Sequence, residues 1–168
     1  MRKLYVILFL TSAFSFKSFS QDWKQIGQTI YGEAQNDNSG ESIATNSNGS
    51  RIAIGTGTND GNGDKSGHVR VYEDSVGTWV QLGNDIDGEA KFDYSGEDVT
   101  MNYSGSIIAV GAGHNDGGDD NAGHVRVFEY KNNAWEQLGA DLDGISYEDF
   151  FGDGIALDSV GHRIAVGA

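Results

Sequence analysis

The sequence predicts an all-β chain built from radially repeated four-stranded blades, a β-propeller, and three observations carry that expectation. The first is a period: Trp23, Trp79 and Trp135 are spaced by 56 residues, and Gly27, Gly83 and Gly139, then Gly40, Gly96 and Gly152, then Gly55, Gly111 and Gly167 follow in the same register. Residues 23–78 and 79–134 are identical at 28 of 56 positions, and residues 135–168 match 79–112 at 15 of 34. Each copy is therefore one supersecondary unit, with about 2.6 repeats present. The second observation is that every full copy carries four short apolar or alternating runs between turn-forming clusters. The third is that no stretch sustains a 3.6-residue period. Four short strands make a blade, and blades repeated radially make a propeller.

In chain order, residues 1–20 read as a signal peptide. Arg2 and Lys3 supply the positive start, Leu4 to Phe16 the apolar run, and Ser18-Phe19-Ser20 the small residues before a cleavage that leaves Gln21 first. That run of 13 residues is short of the roughly 18–20 that span a bilayer. The expected location is extracellular or cell-surface, without membrane insertion after cleavage. Residues 21–168 form the repeat region, with units 23–78, 79–134 and a partial 135–168.

Within the units, residues 22–27 read as an outermost strand. Ser42–Asn46 and Asp98–Asn102 are first strands. Arg51–Gly55, Ile107–Gly111 and Arg163–Gly167 are apolar on both faces, as buried central strands are. Gly67–Glu73 and Gly123–Glu129 alternate with period two. Thr78–Leu82 and Ala134–Leu138 make a fourth strand, and Asp85–Glu89 and Asp141–Gly144 read as solvated turns between blades. The ending after the second strand of a further blade predicts a fragment of a larger ring. A complete chain of this kind would expose sheet edges and oligomerise.

Composition narrows the partners. There are 25 Gly, no Pro and no Cys, which excludes a disulfide framework, a thiolate metal site and a cysteine nucleophile. The formal charge is −14, and 8 basic against 25 acidic residues beyond Ser20 make it −17. A nucleic-acid surface needs a basic footprint, so nucleic acid is not an expected partner.

The third copy reads Phe151-Gly-Asp-Gly-Ile-Ala-Leu-Asp-Ser-Val-Gly-His-Arg-Ile-Ala-Val-Gly-Ala168, which resembles the FG-GAP repeat of integrin α-chain propellers. Gly123-His-Val-Arg-Val-Phe128 is similar to that repeat's third strand, and the Trp-x-Gln-Leu-Gly version resembles repeats of secreted microbial surface proteins. The resemblance implies an FG-GAP-type propeller. The chain departs from it at Ser39-Gly40 and Ser95-Gly96, where Phe-Gly belongs. It departs also in the family's calcium loop, whose ligand positions fall on Ala44, Asn46 and Asn48, on Thr100, Asn102 and Ser104, and on Ala156, Asp158 and Val160. One carboxylate among nine positions does not supply a hard divalent cation, so that site is not carried over.

The candidate ligand residues lie instead between second and third strands: Asp60, Asn62 and Asp64 in one copy, and Asp116, Asp119 and Asp120 in the next. Alternating oxygens in a glycine-rich loop can wrap Ca²⁺. The same residues also read as hairpin turns that accept positive φ, and this second reading is preferred. Asp37, Asp93 and Asp149 recur at one register, as turn acceptors for backbone N–H groups. His68 and His124 share a Gly-His-Val-Arg context, a repeated structural need, since a zinc site would break the repeat at one blade. The three Trp read as core or blade–blade packing.

The expected function is a secreted or cell-surface binding and scaffolding module of adhesive kind, with no catalytic activity of its own and an unidentified protein or carbohydrate ligand. Two alternatives are an accessory propeller of a secreted polysaccharide-active enzyme and a Ca²⁺-dependent carbohydrate-binding module.

Overall fold

The computed structural model describes residues 22–168, so the leader assigned to residues 1–20 lies outside the described residues. The described chain is all-β and contains no helix. A first antiparallel sheet holds β1 (Ser42–Thr45), β2 (Arg51–Thr56), β3 (His68–Asp74), β4 (Trp79–Gln81) and β5 (Ile86–Asp87). A second repeats it with β6 (Asp98–Met101), β7 (Ile107–Ala112), β8 (His124–Lys131), β9 (Ala134–Gln137) and β10 (Leu142–Asp143). A third contains β11 (Gly154–Leu157) and β12 (Ile164–Gly167).

The outer edge differs from the sequence expectation. β4 pairs with one end of β3 through Asp74↔Trp79, and β5 pairs with the other end through His68↔Asp87. Residues 79–87 are thus one fourth strand with an interruption, and β9 and β10 repeat the arrangement along β8. Asp85–Glu89 and Asp141–Gly144, read as solvated turns, contain this continuation: Ile86, 6% exposed, anchors the first, and the second is held by pairing of Leu142 and Asp143 with β8. Residues 22–27 form no strand, yet Ile26 and Gln28 still bind the Trp79 edge. The Trp79 indole donates to Ile26 O at 3.0 Å, and Trp79 N donates to Gln28 Oε1 at 3.0 Å.

Strand alternation decides what faces what. On the first sheet Ala53, Val69, Val71 and Ile86 point to one side and join Val99, Met101, Ile108, Val110 and Phe128 of the second sheet in one core. In β8, His124 and Arg126 share the parity of Phe128, so these polar side chains face the first sheet beside that core. His68 and Arg70 hold the equivalent places on β3. Burial of both faces explains why β3 is covered from His68 through Tyr72.

The sheets meet along their inner strands, with β6 against β1 and β2, and β11 against β6 and β7. Ser42 Oγ donates to Gly96 O at 2.7 Å. The approach is so close that a Cβ on Gly55 would overlap the Gly96 carbonyl, and one on Gly111 would overlap that of Gly152. Each hairpin between first and second strands is closed by one side chain. Asn46 Oδ1 accepts from Arg51 N, Asn102 Oδ1 from Ser106 N and Ile107 N, and Asp158 Oδ1 from His162 N and Arg163 N. Asn46 Nδ2 and Asn102 Nδ2 also donate onward, to Ser104 O and Val160 O of the following hairpin.

Candidate functional site

The acidic loops of the sequence reading spend much of their side-chain capacity on themselves. Asp60 Oδ1 accepts Lys65 N at 2.8 Å, and Asn62 turns inward to donate to Gly88 O at 2.8 Å. Asp116 Oδ1 accepts Asn121 N at 2.8 Å, Asp119 Oδ1 accepts Asp120 N at 2.9 Å, and Asp120 Oδ1 accepts Asn121 Nδ2 at 3.3 Å. Asp60 and Asp64 border an open cleft of about 330 Å³ with Asp37, Asn38 and Lys65. The recurrent aspartates are turn acceptors: Asp37 takes Ala34 N, Asp93 takes Ala90 N and Asp149 takes Ser146 N. Asp37 and Asp93 also fasten Asn59 and Asn115 at the mouths of the two loops.

The residues that do converge are different ones. Among the described residues, two groups bring three ligand atoms within 4.8 Å of one another: Glu33, His68 and Asp85, and Glu89, His124 and Asp141. Members of the two groups differ by 56 residues throughout, so this is one site made twice. Three segments build each copy. β3 or β8 supplies the histidine, the interruption of the fourth strand supplies the aspartate, and the connection entering the sheet supplies the glutamate.

His68 Nδ1 lies 3.8 Å from Glu33 Oε2 and 3.7 Å from Asp85 Oδ2, beyond hydrogen-bond distance. His124 Nδ1 lies 3.8 Å from Glu89 Oε2. Both rings are 1% exposed, whereas the Glu33 and Asp85 side chains are 48% and 26% exposed. Burial pushes the His68 imidazole below its ordinary pKa, with Asp85 opposing and Arg70 reinforcing the shift. Burial does the same at His124, reinforced by Arg126 and opposed by Glu89 and Asp141. The neutral imidazole is thus favoured, and these contacts are not ion pairs.

An arginine faces each glutamate. Arg70 Nη1 is 3.7 Å from Glu33 Oε1 while its Nη2 donates to Tyr31 O at 2.9 Å. Arg126 Nη1 is 3.7 Å from Glu89 Oε1 while its Nη2 donates to Asp87 O at 2.7 Å. In both copies one glutamate oxygen faces the guanidinium and the other faces the imidazole. The Nε2 atoms of both histidines are buried without a hydrogen-bond partner.

Comparison with known proteins found no matching family model and no matching curated protein. The convergence of Glu33, His68 and Asp85 was not anticipated from sequence. Its signal was present in the three-residue set that recurs as Glu89, His124 and Asp141, and the premise that a ligand group must be peculiar to one blade hid it.

Proposed function

We propose that the chain is a run of FG-GAP-type propeller blades that serves as a secreted or cell-surface binding and scaffolding module, with no catalytic activity of its own. The observation that carries this reading is the uniformity of the joints between sheets. Trp79 reaches Ile26 O and Trp135 reaches Leu82 O, while Gly55 meets Gly96 and Gly111 meets Gly152, all displaced by one 56-residue period. A stack in which each unit contacts only its neighbours in one repeated way suits a rigid platform that presents loops. The charge of −14 favours a cationic face on the protein or carbohydrate-bearing partner.

The test is a binding screen of the immobilised secreted protein against glycans and basic surface proteins, together with polysaccharide-hydrolysis assays. Salt-sensitive retention of a ligand without released reducing sugar is the expected outcome. Hydrolysis by the purified protein, or a failure to retain any probe, overturns the reading. Imaging the native secreted product tests the ring itself, since separate sheets rather than radial blades would exclude the propeller.

A further inference from the structure

We propose that Glu33, His68 and Asp85, and again Glu89, His124 and Asp141, are twin binding sites for a divalent transition metal of the zinc class, one at the entry side of each full blade. The donor set selects the ion. An imidazole nitrogen with two carboxylate oxygens suits zinc and its first-row neighbours, whereas calcium and magnesium take oxygen ligands. Each set leaves a coordination position for water, because the glutamate is about half exposed.

The distances fit once the carboxylates swing inward. Zinc bonds of about 2.0–2.2 Å at tetrahedral angles place ligand atoms roughly 3.3–3.5 Å apart. The atoms around His68 Nδ1 stand at 3.7 and 3.8 Å, and the three ligand atoms of each group lie within 4.8 Å of one another, so closure needs carboxylate movements of up to about an ångström. The partly exposed carboxylates can make them, whereas the buried ring is fixed on its strand. Without a cation, two carboxylates approach an imidazole whose Nδ1 is too far away to donate to either at full strength. A metal ion offers all three atoms a partner at once. Arg70 and Arg126 face the second oxygen of each glutamate at 3.7 Å, the place taken by outer-shell partners of ligating carboxylates.

Two features separate this from a chance acidic cluster. Each histidine is almost wholly buried, with the Nδ1 of His68 aimed at both carboxylates and that of His124 aimed at Glu89. The complete set also recurs one period later with the same glutamate–imidazole distance of 3.8 Å. At the corresponding register of the third repeat the glutamate is replaced by Ile145, so that position offers no such ligand.

The test is equilibrium dialysis of the full chain against micromolar zinc, with bound metal counted by mass spectrometry. Expected occupancy is about two zinc ions per chain, one per group. Because His68 and His124 are buried, their replacement endangers the fold, so the informative variants are Glu33→Gln and Glu89→Gln on exposed side chains. Each single variant retains one ion and the double variant none, with unchanged circular dichroism in metal-free buffer. His162→Ala retains two. Cobalt loaded in place of zinc gives d–d absorption of low-coordinate cobalt that falls by half in each single variant. Occupancy well below one in the unaltered protein, or two ions retained by Glu33→Gln/Glu89→Gln, overturns the proposal.

Discussion

Trp135 donates its indole N–H to Leu82 O at 2.7 Å, and its ring covers Gly83, where a Cβ would sit 2.9 Å from the indole. The same bond joins Trp79 to Ile26 one period earlier. The tryptophan is therefore a clasp between the outer edges of adjacent units, and the glycine beneath it is the space the ring needs. Trp135→Phe keeps an aromatic ring but leaves the Leu82 carbonyl without its donor. The expected cost is about 1 kcal/mol, read from urea unfolding followed by far-ultraviolet circular dichroism. Trp23, 92% exposed, provides the contrast: Trp23→Phe shifts stability by less than about 0.5 kcal/mol. Equal losses at the two positions would remove the clasp.

Glycines at the sheet joints and glycines in open strands should respond oppositely to a methyl group. A Cβ on Gly111 would overlap the Gly152 carbonyl, and that backbone can retreat only by separating two sheets. Gly111→Ala is expected to cost about 1–3 kcal/mol, as overpacking does. Gly154 has no atom within 4 Å of its Cβ position and no positive φ. Gly154→Ala is expected to be neutral or to stabilise by roughly 0.4–1 kcal/mol through the unfolded chain. Thermal melts of the two variants decide it.

Much of this architecture could be read from the period alone, because strands, glycines and tryptophans must recur if every unit packs on its neighbour alike. The central strands around Ile52–Gly55 and Ile108–Gly111 were legible because both of their faces are apolar. The fourth strand was legible only in its first half, Thr78–Leu82 and Ala134–Leu138, since Asp85 and Asp141 give its middle the composition of a turn, and only pairing of Ile86 and Leu142 with the third strand reveals the continuation. The acidic loops drew attention by their density of oxygens, yet backbone N–H groups take several of them. The Glu–His–Asp groups escaped because their members lie up to 52 residues apart in sequence, and no local pattern joins them.

Glu97 should leave a signature in the pH dependence of stability. Burial, then the charges of Asp153 and Glu41, raise its pKa from 4.5 to about 7. The folded state thus holds this proton more tightly than the unfolded chain. Its contribution is fully present below about pH 4.5 and is lost as pH rises through about 7. Glu97→Gln removes that dependence, so its urea midpoint should gain on the unaltered protein as pH climbs from 4.5 to 7. The buried histidines act with the opposite sign and cancel in the difference between the two proteins. Parallel midpoint curves across this window would contradict the assignment.

Asn102 offers the sharpest test of how one hairpin is tied to the next. It is 5% exposed, its Oδ1 accepts Ser106 N at 3.0 Å and Ile107 N at 3.1 Å, and its Nδ2 donates to Val160 O at 3.3 Å. Asn102→Ala strips both donors of their acceptor within a covered turn, an expected loss of about 2–3 kcal/mol. Asn102→Asp keeps the acceptor, removes the link to Val160 and sets a carboxylate oxygen opposite that carbonyl. The third repeat already carries that chemistry, with Asp158 Oδ1 accepting His162 N at 2.8 Å and Arg163 N at 3.2 Å. The aspartate variant, which leaves both backbone donors paired, is therefore expected to cost less than the alanine variant. If the two variants unfold at the same denaturant concentration, the amide's reach into the next hairpin, and not its closure of its own, holds this joint.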